Sequence, residues 1–263
     1  MKRKTWKQTW QIVWKSLKKA LKTAFDFLID TIAPPDPEVR KIEMMSPEIF
    51  LEYAMRGEKL EESPGVLHFL PYRSAVVKTA IIEIKTHENR RIARLLGTLL
   101  HDFLLSELPD LEMFQNFTRP LVLPIPITRK KKRRRGWNQC ELLAEAMKKI
   151  DAGKTMNGTI NEIISGVKSG IIGKTMNGTN KTFEISADIL QKIRENADQV
   201  GKSRAERFKN LENCFRVRNP AFVRDRNIIV FDDIVTTGAT LAEAKRTLLS
   251  AGARKVILVA LAH

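Results

Sequence analysis

The chain has 263 residues, 43% hydrophobic and 29% charged, so it can bury one sizeable core and is not disordered throughout. Most of its formal net charge of +16 lies in two segments: residues 1–22 carry eight cations and no acid, and residues 129–135 are seven consecutive cations. Each segment therefore needs its own explanation. Cys140 and Cys214 are too far apart for a disulfide framework or a metal-ligand motif, which fits a reducing, cytoplasmic compartment.

The first element predicted along the chain is an amphipathic helix at residues 5–32. Its apolar residues recur every three or four positions, and Pro34 and Pro35 end it. The helix either docks on protein or makes weak contact with an anionic membrane surface through its tryptophans and lysines. No stretch has the roughly 18–20 apolar residues of a membrane span, so we expect a soluble protein without a transmembrane segment.

The middle of the chain predicts a mixture of helices and a strand. Residues 75–84 are apolar and fit either a helix or a strand, while residues 89–105 have helical spacing. Residues 121–124 predict a buried strand that stops at prolines, and residues 137–149 predict a second helix.

A seven-residue sequence, GKTMNGT, occurs at 153–159 and again at 173–179. Two copies are too few for a solenoid, and Asn-Gly favours a turn, so we interpret residues 151–182 as a duplicated surface insertion. Neither copy is a nucleotide-binding P-loop, because Lys148 and Lys168 stand where that motif needs its first glycine.

The C-terminal third predicts a parallel strand–helix–strand unit, with strands at 228–231 and 256–260 and a helix at 239–251. The first strand leads into Asp232 and Asp233, and a short loop of hydroxyl residues with one glycine follows. In parallel sheets such a loop lies at the carboxyl edge, where its amides and the helix N-terminus favour an anion. The acids suit vicinal hydroxyls or Mg²⁺ instead, so the pattern indicates a ribose 5-phosphate site.

Residues 228–240 resemble the signature with which type I phosphoribosyltransferases bind 5-phosphoribosyl 1-diphosphate (PRPP). Further blocks resemble the ComF (competence protein F) family: the prolines at 124 and 126, the sequence RGWNQ at 135–139, and the polar stretch at 203–215. The resemblance covers about residues 65–263. It departs at the N-terminus, where the family's zinc-ribbon cysteines are missing, so we expect no zinc.

The resemblance implies an α/β protein with the type I phosphoribosyltransferase fold, a parallel sheet flanked by helices. It also implies a zinc-ribbon remnant with a small hood at 33–115 and a phosphoribosyltransferase core at 116–263, which follow the basic amphipathic helix region at 1–32. The duplicated insertion interrupts this core.

The resemblance also assigns roles to single residues. Asp232 and Asp233 hold the ribose hydroxyls, directly or through Mg²⁺. Arg204 and Arg207 lie where a mobile catalytic loop is found, although this stretch equally fits the solvated start of a basic helix. The loop and helix start bind the 5-phosphate through Thr236, Thr237, Gly238, Ala239 and Thr240. Residues after the strand at 121–124 bind pyrophosphate, and these are Thr128, Arg129 and Arg135.

Besides a membrane-surface protein anchored by residues 5–32, two functions remain open from the sequence. One is phosphoribosyl transfer from PRPP to an unidentified acceptor. The other is a non-catalytic role in DNA uptake during natural transformation, which the ComF resemblance also implies, with the fold serving as sensor or scaffold. In either case the cations at 129–135 could contact single-stranded DNA or DNA-uptake proteins, or form a solvated loop.

Overall fold

The computed structural model describes residues 36–154, 182–195 and 211–263. Several predictions fall outside the described residues: the amphipathic helix at 5–32, nearly all of the insertion at 151–182, and the arginines Arg204 and Arg207. Among the helices that are described, none is both long and apolar enough to span a membrane.

The chain divides into two compact units, of which the first ends at Met44 and the second spans Met45–His263. In the first unit the described element is a short helix, α1 (Pro37–Glu43). Asp36 caps it, because its carboxylate accepts a hydrogen bond from Glu38 N at 2.9 Å.

The second unit is built on a five-stranded parallel sheet with the order β1-β7-β6-β2-β3, beside a two-stranded antiparallel sheet of β4 and β5. The strands are β1 (Val66–Leu70), β2 (Leu121–Pro124), β3 (Glu184–Ile185), β4 (Leu190–Lys192), β5 (Phe215–Val217), β6 (Asn227–Ile234) and β7 (Lys255–Ala262). The helices are α2 (Pro47–Met55), α3 (Ala75–Thr86), α4 (Arg90–Gln115), α5 (Arg129–Arg135), α6 (Gln139–Lys154) and α7 (Ala239–Ser250), with a 3₁₀ turn at Pro220–Phe222.

The predicted α/β architecture is confirmed: β6, α7 and β7 form the parallel strand–helix–strand unit, and β2 pairs with β6 in parallel. The segment 75–84, which fitted either structure, lies in a helix. The strand predicted at 228–231 continues through Ile234. The acid pair therefore lies within the last residues of the strand and not after its end. β1, from the segment expected to form the hood, is an edge strand of this same sheet.

β6 is the central strand of the sheet, and its burial reflects that position. Its residues from Asn227 to Phe231 are all buried, as expected of a strand covered on both faces. α7 packs on β6 and β7, and α6 packs on β2 and β6. These helices carry the residues that surround the carboxyl end of β6.

α4 and α6 lie unusually close together, and Gly97 is the reason. A methyl group added at Gly97 would stand 2.6 Å from Ala146 Cβ and 3.2 Å from the Leu143 carbonyl oxygen. Glycine therefore permits a helix–helix approach that any side chain would prevent. The contact fixes α6, which begins at the acid pair.

Candidate functional site

The acid pair lies at the carboxyl end of the central strand. Asp233 is buried, with 3% of its surface exposed, and Asp232 is half-buried. The chain then turns through Gly238, whose φ of +71° lies in the left-handed region that favours glycine, and α7 begins at the next residue. Sheet edge, loop and helix start thus meet at one point, as the sequence predicted.

The loop after β6 keeps its hydroxyl groups accessible. Thr236 is exposed, and Thr237 and Thr240 are half-buried. Thr237 Oγ1 accepts a long hydrogen bond of 3.5 Å from Ala239 N. Backbone amides, a helix N-terminus and threonine hydroxyls are the donors that a phosphate group needs.

Asp233 is held by two side chains from different helices. Lys85 Nζ, at the end of α3, lies 3.3 Å from Oδ2, and Gln139 Nε2 donates to Oδ1 at 3.3 Å. Burial by itself raises the pKa of Asp233, but the charge of Lys85 and the hydrogen bonds from Asp232 and Gln139 outweigh it and hold the pKa below its usual value. Asp233 is therefore ionised at neutral pH.

Asp232 behaves in the opposite way. Its Oδ1 accepts hydrogen bonds from Asp233 N at 2.9 Å and from Cys140 Sγ at 3.3 Å. Burial and the neighbouring charge of Asp233 raise the pKa of Asp232 to about 8. Near neutral pH the pair thus shares one proton, so it can both donate to and accept from a diol.

In the described part of the chain, one group of three His, Cys, Asp or Glu side chains lies close enough to share a metal ion. It consists of Asp232, Asp233 and Cys140. The sulfur of Cys140 and the two carboxylates lie within 4.8 Å of one another. Burial, followed by the charge of Asp232, raises the pKa of the Cys140 thiol well above its usual value. The protonated thiol is a poor ligand, and the carboxylate oxygens suit Mg²⁺.

The RGWNQ sequence places α6 against the acid pair. Trp137 Nε1 donates to the Ile84 carbonyl oxygen at 2.9 Å, which ties this turn to the end of α3 beside Lys85. Asn138 is buried; its Nδ2 donates to the Ile125 carbonyl oxygen at 2.9 Å, and its Oδ1 accepts from Cys140 N at 3.2 Å. The block thus orients two elements around Asp232 and Asp233.

The structure separates the three residues expected to bind pyrophosphate. Arg135 Nη1 donates to Gln139 Oε1 at 2.9 Å, one side chain away from Asp233. The Thr128 hydroxyl instead accepts from Lys131 N and donates to Glu195, so it caps α5. Thr128 and Arg129 line a separate groove.

This groove has a volume of about 620 Å³ and lies between α5 and the β4–β5 sheet. It does not include the acid pair. Its cations are Arg129, Lys130, Lys132, Lys192, Arg216 and Arg218, and its acids are Glu141, Asp188 and Glu195.

Sequence reasoning missed two contacts at the site and one elsewhere. Lys85 is near the end of an apolar helix and has no local signature, and Cys140 has no metal-ligand spacing with Cys214. The histidines showed no grouping in the sequence, yet the rings of His68 and His263 lie 5.1 Å apart, because β1 and β7 are neighbours.

Comparison with known proteins finds similarity to a described domain family in the C-terminal part of the chain. Residues 161–263 match the phosphoribosyl transferase domain. The DNA utilization protein YhgH of Escherichia coli K12 is 39% identical over 70 residues, which is 27% of this chain and 30% of that protein. The YhgH protein of Salmonella typhi is 39% identical over 67 residues, 26% of this chain and 29% of that protein.

The match therefore spans less than a third of the length of these relatives. Among solved structures, the hypoxanthine-guanine phosphoribosyl transferase of L. donovani aligns with 65% of this chain and 68% of its own. Its sequence identity is 15% and its TM-score is 0.31. The family match, together with the parallel sheet, supports the expected type I phosphoribosyltransferase fold.

Proposed function

We propose that this chain, a ComF-type protein of the phosphoribosyltransferase superfamily, binds PRPP at the carboxyl end of β6 and transfers its phosphoribosyl group to an acceptor not yet identified. The observation that carries the proposal is the acid pair, in which Asp233 is ionised and Asp232 keeps a proton, at the end of β6 and one short loop before the Gly238 turn. We infer that the protein works in the cytoplasm, where PRPP is available.

The ligand suits the site because its groups follow the same order as the residues that would bind them. The ribose hydroxyls are placed against Asp232 and Asp233, of which one can donate and the other accept. The 5-phosphate is placed on the loop amides and hydroxyls from Thr236 to Thr240, where the start of α7 favours negative charge. Acids and phosphate donors in this order match a ribose 5-phosphate.

Transfer would break the bond from C1 to the diphosphate and form a bond from C1 to the acceptor. The electron pair leaves with the diphosphate, and positive charge develops on the ribose ring. With the hydroxyls bound to the acid pair, the ionised Asp233 would lie on the hydroxyl side of that ring, where its negative charge would stabilise the developing positive charge. The carboxylates fit Mg²⁺, which would offset charge on the diphosphate when bound.

Calorimetry with PRPP and Mg²⁺ tests the proposal. Wild type is expected to bind PRPP, and an Asp232→Asn, Asp233→Asn double variant is expected to lose binding. Asp110→Asn, which removes an exposed carboxylate on α4, serves as the matched control and should bind like wild type. A repeat in EDTA measures the contribution of Mg²⁺. Equal binding by the double variant would reject the site. If wild type binds PRPP, pyrophosphate release in an acceptor screen is the test of turnover.

A second function is supported by α5, whose seven residues are all cations. Arg129, Lys130, Arg133 and Arg134 are exposed, and the two relatives reported above are named for DNA utilization. We propose as an alternative that this helix contacts the phosphates of single-stranded DNA or a DNA-uptake protein, without catalysis.

Fluorescence anisotropy with a labelled oligothymidylate at several salt concentrations tests this alternative. Replacing Arg133 and Arg134 by glutamine should reduce the salt slope by about 1.4, since each lost phosphate contact lowers it by about 0.7. Lys78→Gln removes an exposed cation from α3 and should leave the slope unchanged. An unaltered slope in the α5 variant would exclude these arginines from DNA contact.

A further inference from the structure

The groove between α5 and the β4–β5 sheet is a second concave surface, separate from the acid pair. Its volume of about 620 Å³ lies within the range of about 300–1,000 Å³ that is usual for small-molecule sites. One wall is the start of α5 with the residues before it, and the other wall is the two-stranded sheet. A parallel β-bridge between Thr128 and Lys192 joins the two walls. The groove is therefore a formed feature of the fold that the proposed transfer does not use.

The lining of this groove carries more positive charge than its own acids neutralise. Each acid in the lining has a cation partner in the same lining; the pairs are Lys132–Glu141, Lys130–Glu195 at 3.8 Å and Arg218–Asp188 at 4.0 Å. The other three cations of the lining are Arg129, Lys192 and Arg216, and within the described residues they form no ion pair. Three such cations around one cavity favour a ligand with several negative charges.

Lys192 is positioned by an aromatic ring. Its Nζ lies 5.5 Å from the ring centroid of Phe215, which is its cross-strand partner in the β4–β5 sheet. A cation–π contact of this kind stabilises the ammonium group without using a hydrogen-bond acceptor. Lys192 has three N–H donors and the exposed Arg216 has five, so both residues can donate to phosphate oxygens in the groove.

The lining also has an exposed apolar part. Ile193 directly follows Lys192 and is 54% exposed, and Ile127 is half-buried in the same lining. No described residue of the lining is aromatic, so these residues do not form the stacking platforms on which successive bases of a single strand bind. A ligand with one multiply charged end and one compact apolar end matches both parts of the groove.

We propose that this groove binds a free nucleoside triphosphate. The phosphates are placed on Arg129, Lys192 and Arg216, and the base is placed against Ile127 and Ile193. Three cations match the charge of a triphosphate better than that of a phosphate monoester. The inference goes beyond the proposed function and does not depend on it, because the lining includes neither the acid pair nor the loop that follows β6. It assigns Arg129 to this ligand instead of pyrophosphate.

Calorimetry with ATP and with inorganic tripolyphosphate, which has no base, tests the proposal in EDTA, so that no Mg²⁺ masks the phosphates. A Lys192→Gln, Arg216→Gln double variant should bind both probes at least about tenfold more weakly, since charge-assisted contacts are lost. Ile193→Ser should weaken ATP binding about three- to tenfold and leave tripolyphosphate binding unchanged, because only ATP has a base to cover this side chain. Lys78→Gln and Ile82→Ser, both at exposed positions of α3, are the matched controls and should bind both probes like wild type.

Three results would overturn the nucleotide site: no ATP binding by wild type, equal binding by the groove double variant, or wild-type affinity for ATP in Ile193→Ser. Displacement of ATP by an oligothymidylate at equal phosphate concentration would overturn it as well, because the groove would then serve nucleic acid. Thermal unfolding of each variant verifies that it folds. A Lys192→Arg, Arg216→Lys variant, which retains both charges, should recover much of the affinity.

The Asp232→Asn, Asp233→Asn double variant separates this groove from the proposed PRPP site. It should bind ATP like wild type, and a loss of ATP binding would place the nucleotide at the acid pair and reject the groove. Failure of the wild-type protein to bind PRPP would reject the proposed function and leave the nucleotide site standing.

Discussion

Asp232 and Asp233 are neighbours in the chain, but their surroundings drive their pKa values apart. Asp233 has Lys85 and Gln139 as partners, whereas Asp232 has the Cys140 thiol and the amide of Asp233. One carboxyl group is therefore ionised and the other protonated near neutral pH. Paired acids with separated pKa values are a property of functional sites, and here they suit a ligand with two hydroxyls.

This separation makes the stability of the protein depend on pH. The pKa of Asp232 is about 8 in the folded protein, above the ordinary value of 3.8 that applies when the chain is unfolded. Between these values the folded state binds more protons than the unfolded state, so this residue makes the free energy of unfolding decrease as the pH rises from about 4 to about 8. The lowered pKa of Asp233 acts below this window, where its stabilising contribution is lost as the pH falls.

Asp232→Asn is accordingly expected to be more stable than wild type, by a margin that grows between pH 5 and pH 8. The asparagine keeps an oxygen to accept from Cys140 and from Asp233 N, but it cannot ionise. Thermal melts at one-unit pH steps measure the margin. A variant that tracks wild type across the whole range would show that Asp232 is not protonated in the folded state. Asp110→Asn controls for the loss of a carboxylate.

The sequence was informative about this site where the signal was local. Asp232, Asp233 and the hydroxyl loop are consecutive, so their chemistry could be predicted from spacing alone. Lys85 is separated from Asp233 by almost 150 positions, and only the packing of α3 brings it there. Cys140 is buried, and its hydrogen bond to Asp232 depends on the orientation of α6.

Helices position the residues around the acid pair, and the sequence predicted some of these helices but not α5. α4 and α7 show clear apolar periodicity, and both were predicted. α5 was recognised as a cationic segment, but not as a helix, because seven like charges repel one another on a helix surface. Capping explains its formation: Thr128 accepts from Lys131 N at the start, and Gly136 ends it at a φ of +95°.

Gly97 provides a test of the contact between α4 and α6. Alanine is favoured over glycine within helices by about 1 kcal/mol, but the added methyl would stand 2.6 Å from Ala146 Cβ. Overpacking costs about 1–3 kcal/mol, so Gly97→Ala should lower the free energy of unfolding, measured by urea titration. Ala146→Gly added to this variant should restore part of it, because the 3.2 Å approach to the Leu143 carbonyl oxygen remains. A Gly97→Ala variant that is more stable than wild type would contradict the close approach of α4 and α6.

Trp137 tests whether α3 positions Lys85. Trp137→Phe removes the hydrogen bond to the Ile84 carbonyl oxygen but keeps an aromatic ring. The end of α3 should become less restrained, and PRPP affinity should fall about 2- to 10-fold, since one neutral hydrogen bond contributes about 0.5–1.5 kcal/mol. Isothermal calorimetry measures the change. Wild-type affinity in this variant would show that the bond does not restrain Lys85.

At the scale of the whole molecule, the site unites parts of the chain that are distant in sequence. α3, α6, β6 and the start of α7 meet at one edge of the sheet in the unit Met45–His263. The sequence predicted the parallel unit of β6 and β7 because both strands and their helix are contiguous. The place of β1 beside β7 had no such signal, since strand order depends on packing across the entire chain.

Ligand binding should therefore stabilise this unit as a whole. PRPP with Mg²⁺ at 100 times its dissociation constant adds about 2.7 kcal/mol to the free energy of unfolding, which corresponds to a rise in Tm of about 5–10 °C for a unit of this size. Differential scanning fluorimetry measures the rise. The Asp232→Asn, Asp233→Asn double variant should show none, and Asp110→Asn should show all of it. An equal rise in the double variant would indicate that PRPP binds elsewhere.

The position of β7 between β1 and β6 also has a consequence for synthesis. β1 precedes the other described strands, but the strand that pairs with it in the described sheet is β7, which follows all of them in the chain. Until residues 255–262 emerge from the ribosome, both β1 and one side of β6 present unpaired backbone groups to the cell. Long-range parallel pairing forms slowly, and exposed strand edges favour aggregation. The nascent chain therefore exposes the edges of β1 and β6 until residues 255–262 have been made.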